Sequence, residues 1–144
     1  MGDLLMLKGL PASGKTTYAR DAVSRSMGEV KRVNKDDLRK MLDNGTWRKE
    51  SEELVIEIRD QICRTLLRAG KTVIVDDTNL HEKHEEQLRQ IAEDEGVAFG
   101  TDERFLTVSV EECVRRDVQR RDSVGEDVIR DMAEMAGIEH ASGS

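Results

Sequence analysis

Eight residues near the start of the chain have the types and spacing to hold phosphate. Gly9-Leu10-Pro11-Ala12-Ser13-Gly14-Lys15-Thr16 fits G-x-x-x-x-G-K-[ST], the P-loop pattern. Successive backbone N–H groups in such a loop form a concave nest, and the following helix adds its positive dipole end. Gly9 and Gly14 let the backbone turn and approach phosphates without a Cβ in the way. Gly9, Ala12, Ser13, Gly14, Lys15, Thr16 and Thr17 are the expected contacts to a nucleoside triphosphate such as ATP. Lys15 would sit between the β- and γ-phosphates, and the Thr16 hydroxyl would bind Mg²⁺.

Three further clusters could complete a two-substrate site. Asn34-Lys35-Asp36-Asp37-Leu38-Arg39 puts two acids and an arginine within one helical turn. Asp36 and Arg39 are spaced i, i+3 and share a helix face. Phosphoryl transfer to a hydroxyl needs a carboxylate that orients the nucleophile and takes its proton. An arginine beside it can hold an acceptor phosphate with its fork of N–H donors. The plainer alternative is a capped helix with an ion pair. The same stretch spells N-K-x-D, the guanine-reading string of GTPases, but it follows the second strand and not a late one, so that reading is set aside.

Asp76-Asp77-Thr78-Asn79 ends an apolar run in acid, a Walker B-like arrangement in which one acid reaches Mg²⁺ or its waters. Thr78 and Asn79 could bond to substrate or cap the next helix. In Arg115-Arg116-Asp117-Val118-Gln119-Arg120-Arg121, Arg116 and Arg120 are spaced i, i+4. With Gly125 as a hinge, the region of about 112–130 reads as a helical lid over ATP. Inward arginines there would stabilise charge on the transferring phosphoryl group. Otherwise they are solvated and pair with Glu111, Glu112 and Asp117. His81 and His84 have no third ligand nearby and are not read as a metal site.

The elements that must position these groups alternate strand and helix. Strands are expected over Asp3–Lys8, Val30–Asn34 and Thr72–Asp76, with further strand material in Val97–Phe99 and Phe105–Val108. Helices are expected over Lys15–Met27, Asp36–Leu42, Ser51–Ala69, Glu82–Glu95, Val110–Arg120 and Glu126–Ala136. Asp36 or Asp37 is expected to cap the second helix. Ser51 is expected to cap the third, with a Leu54, Ile58, Ile62, Leu66 stripe facing the core. Thr46–Lys49 is read as loop, where Trp47 or Arg48 could stack on or clamp the acceptor. Met132 and Met135 are read as core. This alternation implies a three-layer α/β fold with a mostly parallel sheet. Right-handed crossovers then bring the ends of three strands, at Gly9, Asn34 and Asp76, to one crevice.

Composition narrows the function classes. The 144 residues are expected to form one domain, with residues 137–144 a fraying, disordered tail. Net charge is −7, which argues against general nucleic-acid coating. Residues 1–49 carry 11 Lys and Arg against 6 Asp and Glu; the remainder carry 12 against 24. The part with the phosphate loop is therefore locally basic. No run of about 18 apolar residues or basic-then-apolar leader occurs, so no membrane contact is expected. Cys63 and Cys113 stand alone outside any C-x-x-C and read as buried hydrophobes, which fits a cytoplasmic, reducing compartment. No obligate protein partner is inferred.

Together these strings resemble the 5′-kinase domain of phage and bacterial polynucleotide kinases, over most of residues 4–135. The resemblance implies a P-loop kinase fold, ATP with Mg²⁺, and the 5′-OH end of DNA or RNA as acceptor. It implies Asp36 as general base, Arg39 on the acceptor phosphate, Asp77 as the acid of the D-T-N string, and Arg120 as the essential lid arginine. Lys15, Asp36, Arg39 and Arg120 are thus the expected catalytic set, and Arg116 and Arg120 join the loop on the nucleotide. Asp36, Arg39, Arg48, Asp77 and Asn79 face the acceptor, and Thr16 with Asp77 the metal. Two other readings stand beside it. One is a kinase of the same architecture acting on a sugar, nucleoside, antibiotic or nucleotide-sugar. The other is a non-catalytic nucleotide-binding switch, which would not need the Asp36–Arg39 pair.

Overall fold

In a computed structural model, residues 2–78, 81–121 and 123–137 are described. Asn79, Leu80, Asp122 and the tail from residue 138 lie outside the described residues. The element order is β1 (Leu4–Leu7), α1 (Lys15–Arg25), β2 (Val30–Val33), α2 (Lys35–Asp43), α3 (Lys49–Arg68), β3 (Thr72–Val75), α4 (Glu82–Glu95) and β4 (Phe99–Asp102). A 3₁₀ turn (Arg104–Thr107), α5 (Val110–Asp117) and α6 (Glu126–Met135) follow. The sheet order is β2-β3-β1-β4 and every pairing is parallel, with Leu4 opposite both Val73 and Phe99, and Val30 opposite Thr72.

Side-chain alternation along the strands divides the core into layers. Leu4 and Met6 of β1 join Val73 and Val75 of β3 on the face packed by Cys63 and Leu67 of α3 and Leu88, Ile91 and Ala92 of α4. Leu7 and Ile74 point to the other face and meet Ala19 of α1. A separate cluster of Leu10, Val110, Cys113, Ile129 and Ala133 packs α5 and α6 against the loop after β1. Both cysteines are free and buried, and burial pushes the Cys63 thiol up to about 12. The fold is the expected three-layer α/β arrangement with a parallel sheet.

Several expectations are corrected. The buried row of α3 is Val55, Arg59, Cys63 and Leu67, one residue on from the apolar stripe. Leu54 is 55% exposed, while Ile62 and Leu66 only flank the core. Helix α3 starts at Lys49, so Ser51 is not its cap, and Arg48 precedes it without a side-chain cap bond. Glu50 and Glu52 in that first turn complement the helix dipole instead. Helix α2 is capped by Asn34, whose side chain accepts from the Asp37 N–H at 3.0 Å, not by an aspartate. Only Phe99–Asp102 forms the fourth strand; Phe105 to Thr107 wind into the 3₁₀ turn. Helix α5 ends at Asp117, so Arg120 lies beyond it and does not share a helical face with Arg116. Met132 flanks the α5–α6 core, but Met135 is 87% exposed.

Candidate active site

The loop after β1 is built around backbone that few residues adopt. Gly14 has φ 107° and Ala12 φ 64°, left-handed conformations of the kind that phosphate-binding nests use. A Cβ at Gly9 would lie 2.7 Å from both Phe105 Cβ and Ser13 Oγ, so the 3₁₀ turn closes on the loop only because that position is glycine. Lys15 opens α1 and is buried. Its ammonium donates to the carbonyls of Gly9 (2.8 Å) and Leu10 (2.7 Å) and to Ser13 Oγ (3.3 Å). Burial lowers its pKa to about 8, with Asp76 and Asp77 pulling back upward. The ammonium form still predominates at neutral pH, and a bound phosphate group would favour it further. Thr16 is half-buried and Thr17 exposed on the same turn.

The acidic end of β3 lies beside this loop, since the Gly9 N–H donates to the Thr78 carbonyl at 3.2 Å. Both aspartates are buried; Asp76 reaches β2 and the Asn34 cap of α2, and Asp77 reaches the first residue of α2. Asp76 accepts from Arg32 Nε at 2.6 Å and Asn34 Nδ2 at 2.8 Å. Arg32 Nη1 also donates to Asp37 Oδ2 at 2.5 Å. With the Asn34 cap on the Asp37 N–H, these four residues close a ring between β2, β3 and α2. Asp77 Oδ1 accepts the Lys35 N–H at 2.7 Å, while burial pushes its carboxyl pKa up against the pull of Lys35 and Arg59.

On α2, Asp36 and Arg39 come together as their spacing implies: Arg39 Nη1 donates to Asp36 Oδ1, and the Asp36 side chain is 72% exposed. Sequence reasoning missed the other partner. Glu52 of α3 accepts from Arg39 Nε at 3.1 Å and Nη2 at 2.6 Å, and lies 3.7 Å from Lys35 Nζ. Burial alone would raise the Glu52 pKa, but its bonds to Arg39 hold it below the usual range. Arg48 is exposed at the start of α3, next to Trp47.

The α5–α6 hairpin reaches the loop through Arg116, whose Nη1 donates to the Ser13 carbonyl at 3.3 Å. Arg120 pairs with Asp117 at 2.8 Å, and its charge is felt at Lys15. Asp117 is the buried anchor of this turn. It accepts the N–H groups of Val124 (3.0 Å) and Gly125 (2.9 Å) and the Ser123 hydroxyl (3.2 Å). Arg115 and Arg116 also pair with Glu112, as the solvated alternative anticipated. Arg59 was missed as well, although a charge in the Val55, Cys63, Leu67 row is legible once that row is taken as buried.

Fold and site together define a P-loop kinase-type domain: a phosphate loop between the central strand and α1, with acids ending the next strand. The chain belongs to a family of AAA domains whose model matches residues 4–137. It is similar to an L-seryl-tRNA(Sec) kinase of Methanococcus maripaludis, 27% identical over 135 residues, covering 91% of this chain and 51% of that one. It is also similar to a putative bifunctional polynucleotide kinase/RNA ligase of Autographa californica nuclear polyhedrosis virus, 29% identical, covering 83% and 18%. A probable adenylyl-sulfate kinase of Aeropyrum pernix is 32% identical over 81% of this chain and 64% of its own. Among solved structures, a chain of the Pnkp1/Rnl/Hen1 RNA repair complex superimposes with TM-score 0.74 at 25% identity, covering 94% of this chain and 44% of that one. The chain thus spans less than two thirds of the length of these relatives. No helix among the described residues is long and apolar enough to cross a membrane.

Proposed function

We propose that this chain is an ATP-dependent kinase and that its acceptor is the 5′-hydroxyl end of DNA or RNA. The observation that carries the reading is the Asp36–Arg39 pair on α2, tied through Asn34 and Asp76 to the strand beside the phosphate loop. A carboxylate and a guanidinium side by side suit an acceptor that offers a hydroxyl next to a phosphodiester. Among the relatives, the viral polynucleotide kinase/RNA ligase supports the same reading.

In this proposal the loop amides and Lys15 bind the β- and γ-phosphates. Asp36 accepts the proton of the 5′-hydroxyl as its oxygen bonds to the γ-phosphorus, and the bond to the β-bridging oxygen breaks to release ADP. Arg39, steadied by Glu52, presents its remaining N–H groups to the acceptor phosphate. The α5–α6 hairpin acts as a lid, with Arg116 and Arg120 on the nucleotide side. The oxygen donors suit Mg²⁺: Thr16 lies at the start of α1, and Asp77 Oδ2 is buried without a hydrogen-bond partner. Mg²⁺ characteristically keeps several waters and takes phosphate oxygens beside one or two protein donors. When bound, Mg²⁺ neutralises charge on the transferring phosphates.

A second reading is a small-molecule kinase. The Glu52 carboxylate on the Arg39 fork favours it, because it leaves fewer donors for an acceptor phosphate. The deciding experiment offers γ-labelled ATP with 5′-OH DNA and RNA oligonucleotides, against a panel of sugars, nucleosides, antibiotics and nucleotide-sugars. Label on a 5′ end supports the proposal. Label on a metabolite with none on any DNA or RNA end overturns it.

A further inference from the structure

Arg59 lies in the middle of α3 with its side chain fully buried, in the row of Val55, Cys63 and Leu67. A guanidinium in such a row must be compensated, because an unpaired charge in a dry interior is strongly destabilising. Its partners are unequal. Nε donates to Asp60 Oδ1 at 3.0 Å, and Nη2 donates to Gln87 Oε1 of α4 at 3.3 Å. Nη1 stands 3.7 Å from Asp77 Oδ2. Neither of those two atoms has a hydrogen-bond partner, and both are buried. At that separation in a dry interior the two charges still attract strongly.

The other oxygen of Asp77 leads to α2, where it accepts the Lys35 N–H at 2.7 Å. Lys35 is the first residue of α2, Asp36 is the next, and Arg39 follows one turn on. A chain of contacts therefore runs from the core of α3, through the end of β3, to the helix that carries the proposed acceptor residues. The ring of Arg32, Asp76, Asn34 and Asp37 holds α2 from one side only. Arg59 and Asp77 hold it from the side of α3.

We propose that Arg59 is a positioning residue for the acceptor half of the site. Its buried charge anchors the Asp77 carboxylate against the Lys35 N–H, and so sets where α2 begins and how Asp36 and Arg39 are presented. This rests on the reading that α2 faces the acceptor. It predicts that the acceptor half is lost first and that nucleotide binding without Mg²⁺ is retained, because Lys15 and the loop are held by their own contacts with Gly9, Leu10 and Ser13, whereas Asp77 is shared with the proposed metal site.

The test uses Arg59→Gln and Arg59→Lys in the full chain. Amide hydrogen exchange reads the link without any acceptor. In Arg59→Gln the Lys35 amide should exchange about tenfold faster or more, while the amides of β1 keep their protection. With whichever acceptor the labelling panel identifies, the acceptor KM should rise about tenfold or more, while the Kd for ATP measured without Mg²⁺ should stay within about twofold. Arg59→Lys, which keeps the charge, should recover part of the loss. An unchanged Lys35 amide and acceptor KM in folded Arg59→Gln overturns the proposal. So does a loss that falls equally on ATP and acceptor, or on β1 and Lys35 amides alike, since that marks a residue needed only for the core. If Arg59→Gln does not fold, Arg59→Lys carries both readouts, with smaller changes in the same direction expected and no change overturning. A panel that labels no nucleic-acid end overturns the proposed acceptor, while the exchange result still decides on Arg59.

Discussion

Glu52 holds Arg39 side-on, with Nε 3.1 Å from Oε2 and Nη2 2.6 Å from Oε1. Two helices are joined by this pair, and both side chains are mostly buried. Hydrogen bonds between charged groups are worth about 1–3 kcal/mol in such settings. Glu52→Gln should therefore lower kcat/KM for the acceptor by about 10- to 100-fold while leaving the KM for ATP within about twofold. Steady-state kinetics with each substrate varied in turn checks this. An equal loss for both substrates would show that Glu52 merely stabilises the fold.

Asp36→Ala removes the group proposed to take the proton. The fall in kcat should be about 10²- to 10⁴-fold, and ATP binding by calorimetry should be nearly unchanged. Normal turnover in that variant removes Asp36 as the base.

Gly9→Ala places a Cβ against Phe105 Cβ and Ser13 Oγ, each 2.7 Å away. Overpacking of this kind costs about 1–3 kcal/mol. The strain falls on the loop itself, so the rise in Tm produced by ATP with Mg²⁺ should vanish as well. A variant that keeps the full ligand-induced shift would contradict the close packing of the 3₁₀ turn on the loop.

His84 sets an acid limit on stability. Burial lowers its pKa to about 4, with the charges of Lys35, Arg59 and His81 adding to the effect and Glu52 opposing it. In the unfolded chain the imidazole titrates near its ordinary value of 6.5. Between these values the unfolded state binds more protons, so stability rises with pH from about 4 to 6.5 and is lost as pH falls through that window. Allowing for partial exposure, the contribution is about 2 kcal/mol. Urea unfolding of the wild type and His84→Gln across that window should show a difference that grows toward acid. Comparing the two proteins removes the parallel loss from carboxylates such as Glu52 and Asp117, which their partners hold low. A difference independent of pH would refute the assignment.

Much of the frame is legible in the sequence. Helix α4 runs over Glu82–Glu95 as its periodicity implies, and α1, β1 and β3 fall within a few residues of their expected ends. The misreadings have physical causes. Thr107 and Val108 look like strand, yet the 3₁₀ turn at Arg104–Thr107 lets Phe105 pack beside Gly9 and Tyr18. Arg120 looks helical, yet Asp117 ends α5 by accepting the backbone of Val124 and Gly125 across the turn.

By itself, the sequence determined the phosphate loop, the strand–helix alternation and the meeting of Asp36 with Arg39. Those features depend on residues a few positions apart, where turn chemistry and helical spacing are enough. Only the tertiary structure decided which side of α3 is inside, because neighbouring rows on a helix differ by about 100° of rotation and both contain apolar residues. With that choice came Arg59 beneath Asp77 and Glu52 on Arg39, partners that only packing brings together. The acids after β3 show the same division. Their type and place are local, but their present partners, Asn34 and the Lys35 N–H, lie 42 residues away and are reached only when the parallel sheet aligns the ends of β2 and β3.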